Sequence, residues 1–168
     1  MKKRMLLISS IIIILLIITI IVYSNRFAIK YRNINSLVQI EEYEDLVQSQ
    51  VQIESMILTH AFDDGSWVVI TESKMINELL NYFINLDITY SHCKDFRGTV
   101  GGGGLVTIFK IGEKNISISY SKELDQIGIA DGRYYQVYFD IVSRKVENPF
   151  EKIYQQAAEK YGITHTHG

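Results

Sequence analysis

Three side chains that can bind metals or act as nucleophiles lie close together near the middle of the chain. His92, Cys93 and Asp95 lie within four positions. A structural zinc site needs about four ligands in a tetrahedral arrangement, and neighbouring side chains on an extended chain point to opposite sides. His92 and Cys93 are therefore poorly placed to share a metal, and His92 is poorly placed to act as the base for Cys93. We expect no metal and no cofactor here.

A second group of proton-carrying side chains lies earlier, at His60, Asp63 and Asp64. Paired carboxylates near a histidine do acid–base work when the fold brings them together with suitable geometry. His92 and Asp95 would have to join them across a long sequence separation. An enzyme with an unrecognised acid–base site is therefore an alternative function, and we assign no catalytic residue from the sequence.

The stretch "GTVGGGGLVT" contains four consecutive glycines, Gly101, Gly102, Gly103 and Gly104. It lacks the Lys-Ser/Thr end of a phosphate-binding loop and does not match G-x-G-x-x-G. A flexible loop or a bulge before a strand is one interpretation. Close approach of a ligand or another backbone is the other, and on that basis the four glycines are candidate binding residues.

Tyrosines are concentrated in the run "RYYQVYF". Alternation along a strand divides this run between two faces: Tyr134, Gln136 and Tyr138 on one, and Tyr135, Val137 and Phe139 on the other. The second set is typical of a core. An ordinary sheet edge is one interpretation of the first set. The other is an exposed aromatic patch that binds a partner, and on that basis Tyr134 and Tyr138, with Trp67 in the same sheet, are candidate binding residues.

The beginning of the chain, "MKKRMLLISSIIIILLIITIIVYSNR", predicts a membrane-spanning helix. Residues 5–23 are 19 residues without a charge, and a helix of that length covers about 28 Å, close to the hydrocarbon thickness of a bilayer. The apolar part of a cleaved secretory signal is usually only about 7–15 residues long. We therefore expect a retained signal anchor, with cleavage after Ser24 as the alternative.

Charge and cysteine content limit the function classes. Basic residues flank the apolar run on both sides, so the short leading tail is what favours a cytoplasmic N-terminus and an extracytoplasmic body. Without the first three cations, 14 basic and 19 acidic residues remain, a net charge of −5. This argues against nucleic acid as a partner. The single cysteine rules out an internal disulfide.

The remaining elements predict an α+β protein with one antiparallel sheet of about five to six strands and helices on one face. The expected parts are a cytoplasmic tail (1–4), a transmembrane signal anchor (5–23), a stalk with an amphipathic helix (24–50), an α+β extracytoplasmic domain (51–162) and a flexible tail (163–168). Leu37, Ile40, Tyr43, Leu46 and Val47 form the predicted face of the stalk helix.

Several local signals place the elements of the domain. Val51, Ile53, Ser55 and Ile57 alternate with Gln52, Glu54 and Met56, which predicts a strand. Asp64-Gly65 predicts the hairpin turn that leads to a return strand over Trp67–Ile70. In "TESKMINELLNYFINL", Thr71 is the expected cap of a helix. Its apolar stripe would contain Met75, Ile76, Leu79, Leu80 and Phe83.

The last predicted helix is "NPFEKIYQQAAEKYG", with Asn148 as its cap, Pro149 in its first turn and Gly162 just past its end. Four strands are expected between the glycine run and this helix, and Asp131-Gly132 marks the turn between the last two of them. The domain should therefore end with a helix that packs on its sheet.

The chain resembles the small membrane-anchored extracytoplasmic α+β proteins of unknown function found in low-GC Gram-positive bacteria. The stretches "MKKRMLLISSIIIILL", "VVITESKMINELL" and "VTIFKIGEKNISISY" carry the resemblance. It implies a single-pass membrane protein and brings no catalytic residues. We expect a membrane-anchored binding module that contacts a protein or a cell-envelope component. A structural subunit of a membrane complex is a further alternative.

Overall fold

The computed structural model describes residues 2–47, 52–60, 66–91, 104–131 and 135–164. The chain divides into two compact units, Met1–Asn33 and Ile34–Gly168. The boundary between the two units lies within the predicted stalk (24–50).

The first unit consists of two helices, α1 (Lys2–Ser24) and α2 (Arg26–Tyr31). Helical hydrogen bonding continues across the joint, since the Asn25 amide donates to the Ile21 carbonyl (3.1 Å) and the Ile29 amide donates to the Asn25 carbonyl (2.9 Å). The apolar side chains of residues 11–18 and 20–23 are each 50–63% exposed. A search of the described residues found no helix whose length and apolar character suffice for a membrane crossing.

The second unit is an α+β fold built on one antiparallel sheet. Its elements are a short 3₁₀ helix (Leu37–Gln39), α3 (Glu41–Val47), β1 (Ser55–His60), β2 (Trp67–Ile70), α4 (Ser73–Ile84), β3 (Leu86–Tyr90), β4 (Gly104–Ile111), β5 (Lys114–Ser121), β6 (Gln126–Asp131), β7 (Tyr135–Arg144) and α5 (Phe150–Tyr161). The strand order is β2-β1-β4-β5-β6-β7-β3.

The described residues form seven strands, so the prediction of five to six was wrong by one edge strand. The missing strand is β3, which begins two residues after α4 ends. It pairs with β7, more than 50 positions later in the chain, as in the contact of Ile88 with Ile141. A five-residue strand directly after a helix has no turn residues that separate it, and only its distant partner shows that it is a strand.

The sheet has one buried face, which we call the covered face. It carries the side chains of Met56, Leu58, Thr107, Phe109, Ile118, Tyr120, Ile127, Ile129, Val137 and Phe139, all at most 4% exposed. Helix α4 contacts this face through Phe83, whose ring centroid lies 6.4 Å from that of Phe109. Helix α5 contacts its edge through Tyr154, 4.7 Å from the His60 ring.

The strand β1 directs Met56 and Leu58, and not Ile57, into the core. Met56 and Leu58 are fully buried, whereas Ile57 is half-buried on the opposite side, which we call the open face. Because Met56, Ile57 and Leu58 are consecutive apolar residues, the local pattern fits either orientation. Pairing of Met56 with Phe109 of β4 decides which of them enters the core.

The helix ends differ from prediction in detail. Glu72 occupies the N-cap of α4, so Thr71 is not the cap. At α5 the N-cap is Pro149, and the Asn148 side chain still accepts a hydrogen bond from the Phe150 amide (2.9 Å). Gly162 ends α5 with φ +78°, as a residue without Cβ can do at no steric cost.

The predicted apolar faces of α4 and of the stalk helix are both buried, but some residues at their edges differ from the prediction. In α4 the buried residues are Ile76, Leu79, Tyr82 and Phe83. Tyr82 was missed, because a tyrosine scores as only weakly apolar, and Met75 and Leu80 are half-buried. In the former stalk helix Leu37, Ile40, Tyr43 and Leu46 are buried, whereas Val47 is exposed.

Two further predictions concern the chain's connections. The turn glycines Gly65 and Gly132 lie outside the described residues. The expected tail begins with Ile163, but Thr164 exchanges two backbone hydrogen bonds with Trp67, each 2.9 Å long. This part of the tail is therefore paired with the outer edge of β2.

Candidate functional site

The predicted binding residues fall into two groups. Gly101, Gly102, Gly103 and Tyr134 lie outside the described residues. Gly104, Trp67 and Tyr138 are described: Gly104 is buried at the start of β4, opposite Ser121, and the two aromatic residues are half-buried on the open face.

Trp67 and Tyr138 lie in one row of directly opposite residues that crosses six strands. The row is Trp67, Thr59, Val106, Ser119, Gly128 and Tyr138. Five strand spacings of about 4.8 Å separate its ends by about 24 Å. The two aromatic residues therefore share a face, but they are too far apart to form a single compact patch.

Tyr138 covers the backbone of its neighbour Gly128. A Cβ atom built on Gly128 would lie 2.9 Å from Cε1 and 3.1 Å from Cδ1 of the Tyr138 ring. The same atom would lie 2.4 Å from Oγ of Ser119, whose hydroxyl donates to the Gly128 carbonyl (3.2 Å). One side of the Tyr138 ring is thus committed to packing against the sheet.

The apolar surface of the open face lies at the opposite end, on β2, β1 and β4. It consists of Trp67, Val69, Ile57, Val106 and Ile108, a set that we call the apolar patch. Ile57 lies between Val69 and Ile108 in the sheet, and Thr59 lies between Trp67 and Val106. Val69 is 42% exposed and the other four are half-buried.

The sequence analysis missed this patch because it recognised the strand that contains Ile57 without assigning its apolar side chains to an exposed face. The available signal was that β1, β2 and β4 are apolar on both alternating sides, as in "SMILTH" and "WVVI". A strand of an antiparallel sheet that faces water on one side is normally polar on that side. Apolar residues in both positions indicate that the second side is also partly excluded from water.

The other half of the open face is polar and internally hydrogen-bonded. The Gln126 amide nitrogen donates to Oδ1 of Asp140 (2.6 Å) and to Oγ of Ser91 (3.1 Å). Gln126 and Ser91 are each 6% exposed. These hydrogen bonds join residues from β6, β7 and the end of β3. The carboxylate of Asp140 is paired with an amide and not with a base or a nucleophile. Its role is to align the strands.

Tyr82 of α4 and Tyr120 of β5 are neighbours next to an ion pair at the sheet's end. Burial raises the pKa of Tyr82, and its neighbour Tyr120 raises it further. Arg144 is paired with Asp125, which adopts φ +52° in the turn before β6. A tyrosine with a raised pKa stays protonated at neutral pH, so Tyr82 does not supply a base or a nucleophile.

Of the candidate acid–base residues, the structure describes His60 alone. Its ring packs edge-on against Phe150 and Tyr154 of α5, with centroids 5.8 and 4.7 Å away. A carboxylate oxygen of Glu151 lies 3.9 Å from Nε2 of His60. The other candidates lie outside the described residues: Asp63, Asp64, His92, Cys93 and Asp95. Among the described residues, no group of three potential metal ligands is found.

A shallow hollow of about 540 Å³ lies on the outer side of α4. Its lining comes from Lys74, Asn77, Glu78, Leu80, Asn81 and Ile84. Since one helix supplies all of these residues, the hollow does not enclose a small molecule as a binding cleft does.

Comparison with known proteins adds no relative: no family model, no curated protein and no solved structure matches the chain. The function is therefore inferred from the chain's own residues.

Proposed function

We propose that this chain is a single-pass membrane protein whose extracytoplasmic α+β body binds a partner protein through the apolar patch. The observation that carries the proposal is the half-exposed set Trp67, Val69, Ile57, Val106 and Ile108 on the open face. The covered face is already filled by the protein's own helices. Apolar side chains that remain partly accessible on the other face are typical of the centre of a protein–protein contact.

The membrane anchor is supported by residues 5–23, which carry no charge. Side chains of α1 from residue 11 to residue 23 are apolar and at least half exposed in all directions around the helix, apart from Thr19. Its hydroxyl donates to the Leu15 carbonyl four residues earlier (2.9 Å), so its polar group is used within the helix. A helix that is apolar on every side is suited to a lipid environment. Removal by cleavage after Ser24 is the alternative.

A protein suits the patch better than a charged envelope polymer does. The patch is built from one aromatic and four β-branched apolar side chains, and no charged residue belongs to it. Anionic polymers require cations, whereas the part of the chain after the anchor is acidic. We therefore place the partner among proteins, at the outer surface of the membrane.

The experiment is photo-crosslinking from within the patch in cells that express the full chain. A photoreactive phenylalanine analogue replaces Val69, which is 42% exposed, and in a matched control it replaces Val142 on β7, which is 67% exposed. The proposal expects one protein adduct of defined mass from position 69 and none from position 142. The same adducts from both positions, or no adduct from position 69, would contradict it. An adduct with glycan or lipid would mean that the partner is an envelope component and not a protein.

A further inference from the structure

We infer that α2 and the residues that flank it form a headgroup-binding collar, which contacts anionic phospholipids where α1 leaves the bilayer. The collar consists of Tyr23, Arg26, Phe27, Lys30 and Arg32. The inference rests on the proposed function, since it requires α1 to lie in lipid, and it adds the lipid class that the emerging segment recognises.

The charges of the chain are divided between its two units. Residues 1–33 carry six basic and no acidic side chains, whereas residues 34–168 carry 11 basic and all 19 acidic ones, a net charge of −8. Three of the six cations, Arg26, Lys30 and Arg32, follow the apolar run within nine positions, and the first acidic residue after them is Glu41. The body itself would be repelled by an anionic surface, so attraction to such a surface has to come from this short segment.

The backbone geometry places these cations at the depth of the headgroups. Because helical hydrogen bonding continues across Asn25, α2 extends α1 with little interruption. Its six residues rise about 9 Å. The headgroup layer is about 5–8 Å thick on each side of the hydrocarbon region. If α1 crosses the hydrocarbon, Arg26 enters this layer and Arg32 leaves it.

The side chains of the collar combine the two chemistries of that layer. The Arg26 guanidinium lies over the rings of Tyr23 and Phe27, 4.6 Å from each centroid, and Lys30 lies 4.8 Å from the centroid of the Tyr31 ring. Aromatic rings favour the membrane–water interface, and guanidinium groups bind phosphate with paired hydrogen bonds. Ile29 lies between Phe27 and Lys30 in the sequence and is 66% exposed, so it supplies an apolar contact with the lipid.

An anionic lipid surface fits this arrangement better than an acidic protein does. Cations, aromatic rings and an exposed aliphatic residue are mixed within one short helix, as in segments that lie at membrane interfaces. Each cation near such a surface strengthens association about fivefold, and the effect falls off within about one Debye length. The three cations together should therefore give a strong and salt-sensitive preference for phosphatidylglycerol over phosphatidylcholine.

The test measures which lipid surrounds the collar in the reconstituted full chain. Phe27→Trp in a Trp67→Phe background provides a single tryptophan at the collar and keeps an aromatic ring beside Arg26. The chain is placed in vesicles of equal parts phosphatidylglycerol and phosphatidylcholine, with either one lipid or the other brominated. We expect stronger quenching by brominated phosphatidylglycerol, with an association ratio of at least about fivefold, the contribution of one cation, that declines in high salt.

The matched variants alter equal charge at opposite ends of α1. Arg26→Gln/Lys30→Gln/Arg32→Gln should reduce the ratio to about one, whereas Lys2→Gln/Lys3→Gln/Arg4→Gln should leave it unchanged. Equal quenching by both lipids in the parent chain, or the same ratio in both triple variants, would overturn the inference. If the chain fails to float with the vesicles and neither lipid quenches, the membrane anchor itself is wrong, and that outcome differs from a chain that floats without lipid preference.

Discussion

The Tyr138 ring lies against the backbone of Gly128 on the neighbouring strand, where a Cβ atom would approach Cε1 to 2.9 Å. Aromatic residues that cover a glycine of the next strand restore the side-chain packing that the glycine lacks. Tyr138 was predicted as a binding residue, and this contact gives it a structural role on the open face.

Replacing Gly128 by alanine should destabilise the sheet. The new Cβ would lie 2.4 Å from Oγ of Ser119 as well as against Tyr138, and overpacking of this kind costs about 1–3 kcal/mol. We expect the free energy of unfolding of the detergent-solubilised chain to fall by that amount, measured by urea denaturation with Trp67 fluorescence. In a Ser119→Ala background the loss should be smaller; an equal loss in both backgrounds would contradict the proposed contact.

Thr107→Val should stabilise the protein. Oγ1 of Thr107 is buried on the covered face and has no hydrogen-bond partner among the described residues. An unsatisfied buried hydroxyl costs about 1–3 kcal/mol, and valine has nearly the same shape. We expect a gain of about 1 kcal/mol in the free energy of unfolding.

The matched control for Thr107 is Thr59→Val on the adjacent strand. The Thr59 hydroxyl donates to the Ser66 carbonyl (2.8 Å), so its removal should cost about 1 kcal/mol. If both substitutions change stability in the same direction, the difference in hydrogen bonding between the two threonines is not what determines their effect.

Stability should decline at high pH through Tyr82. Its pKa in the folded protein lies above the ordinary value of about 10, because burial disfavours the phenolate. Below about pH 10 the group is protonated in both states and contributes no pH dependence. Above it the unfolded chain loses the proton while the folded chain retains it, so the free energy of unfolding falls by about 1.4 kcal/mol per pH unit for this group.

Tyr82→Phe should therefore flatten the high-pH side of the stability profile. Unfolding midpoints measured between neutral pH and about pH 11.5 would show a shallower decline than in the parent chain. Tyr161→Phe, at a tyrosine that is 41% exposed, serves as the control. An unchanged slope in Tyr82→Phe would mean that this phenol is not the group whose proton is held by folding.

Membrane orientation can be tested with single cysteines. In a Cys93→Ser background, Val142→Cys places a thiol at a side chain that is 67% exposed in the body. Lys2→Cys places one in the predicted cytoplasmic tail. A membrane-impermeant maleimide added to intact cells should label position 142 and should label position 2 only after permeabilisation. Labelling in the reverse order would place the body in the cytoplasm.

Local sequence signals located the elements whose limits depend on nearby residues. The sequence predicted the return strand at Trp67–Ile70 and most of the buried stripe of α4. It also predicted the helix Phe150–Tyr161, with Asn148 before it and Gly162 after it. Caps, turns and helical periodicity act over a few residues, so these features can be recognised without a partner element.

Tertiary pairing decided what the local pattern left open. Ile57 and Met56 are both apolar, and the register with β4, not their own chemistry, places one on the open face and the other in the core. The strand β3 exists because β7 pairs with it, and Tyr120 is buried beside Tyr82 of α4. A shift of one residue in pairing reverses every side chain of a strand, so such assignments depend on contacts between distant parts of the chain.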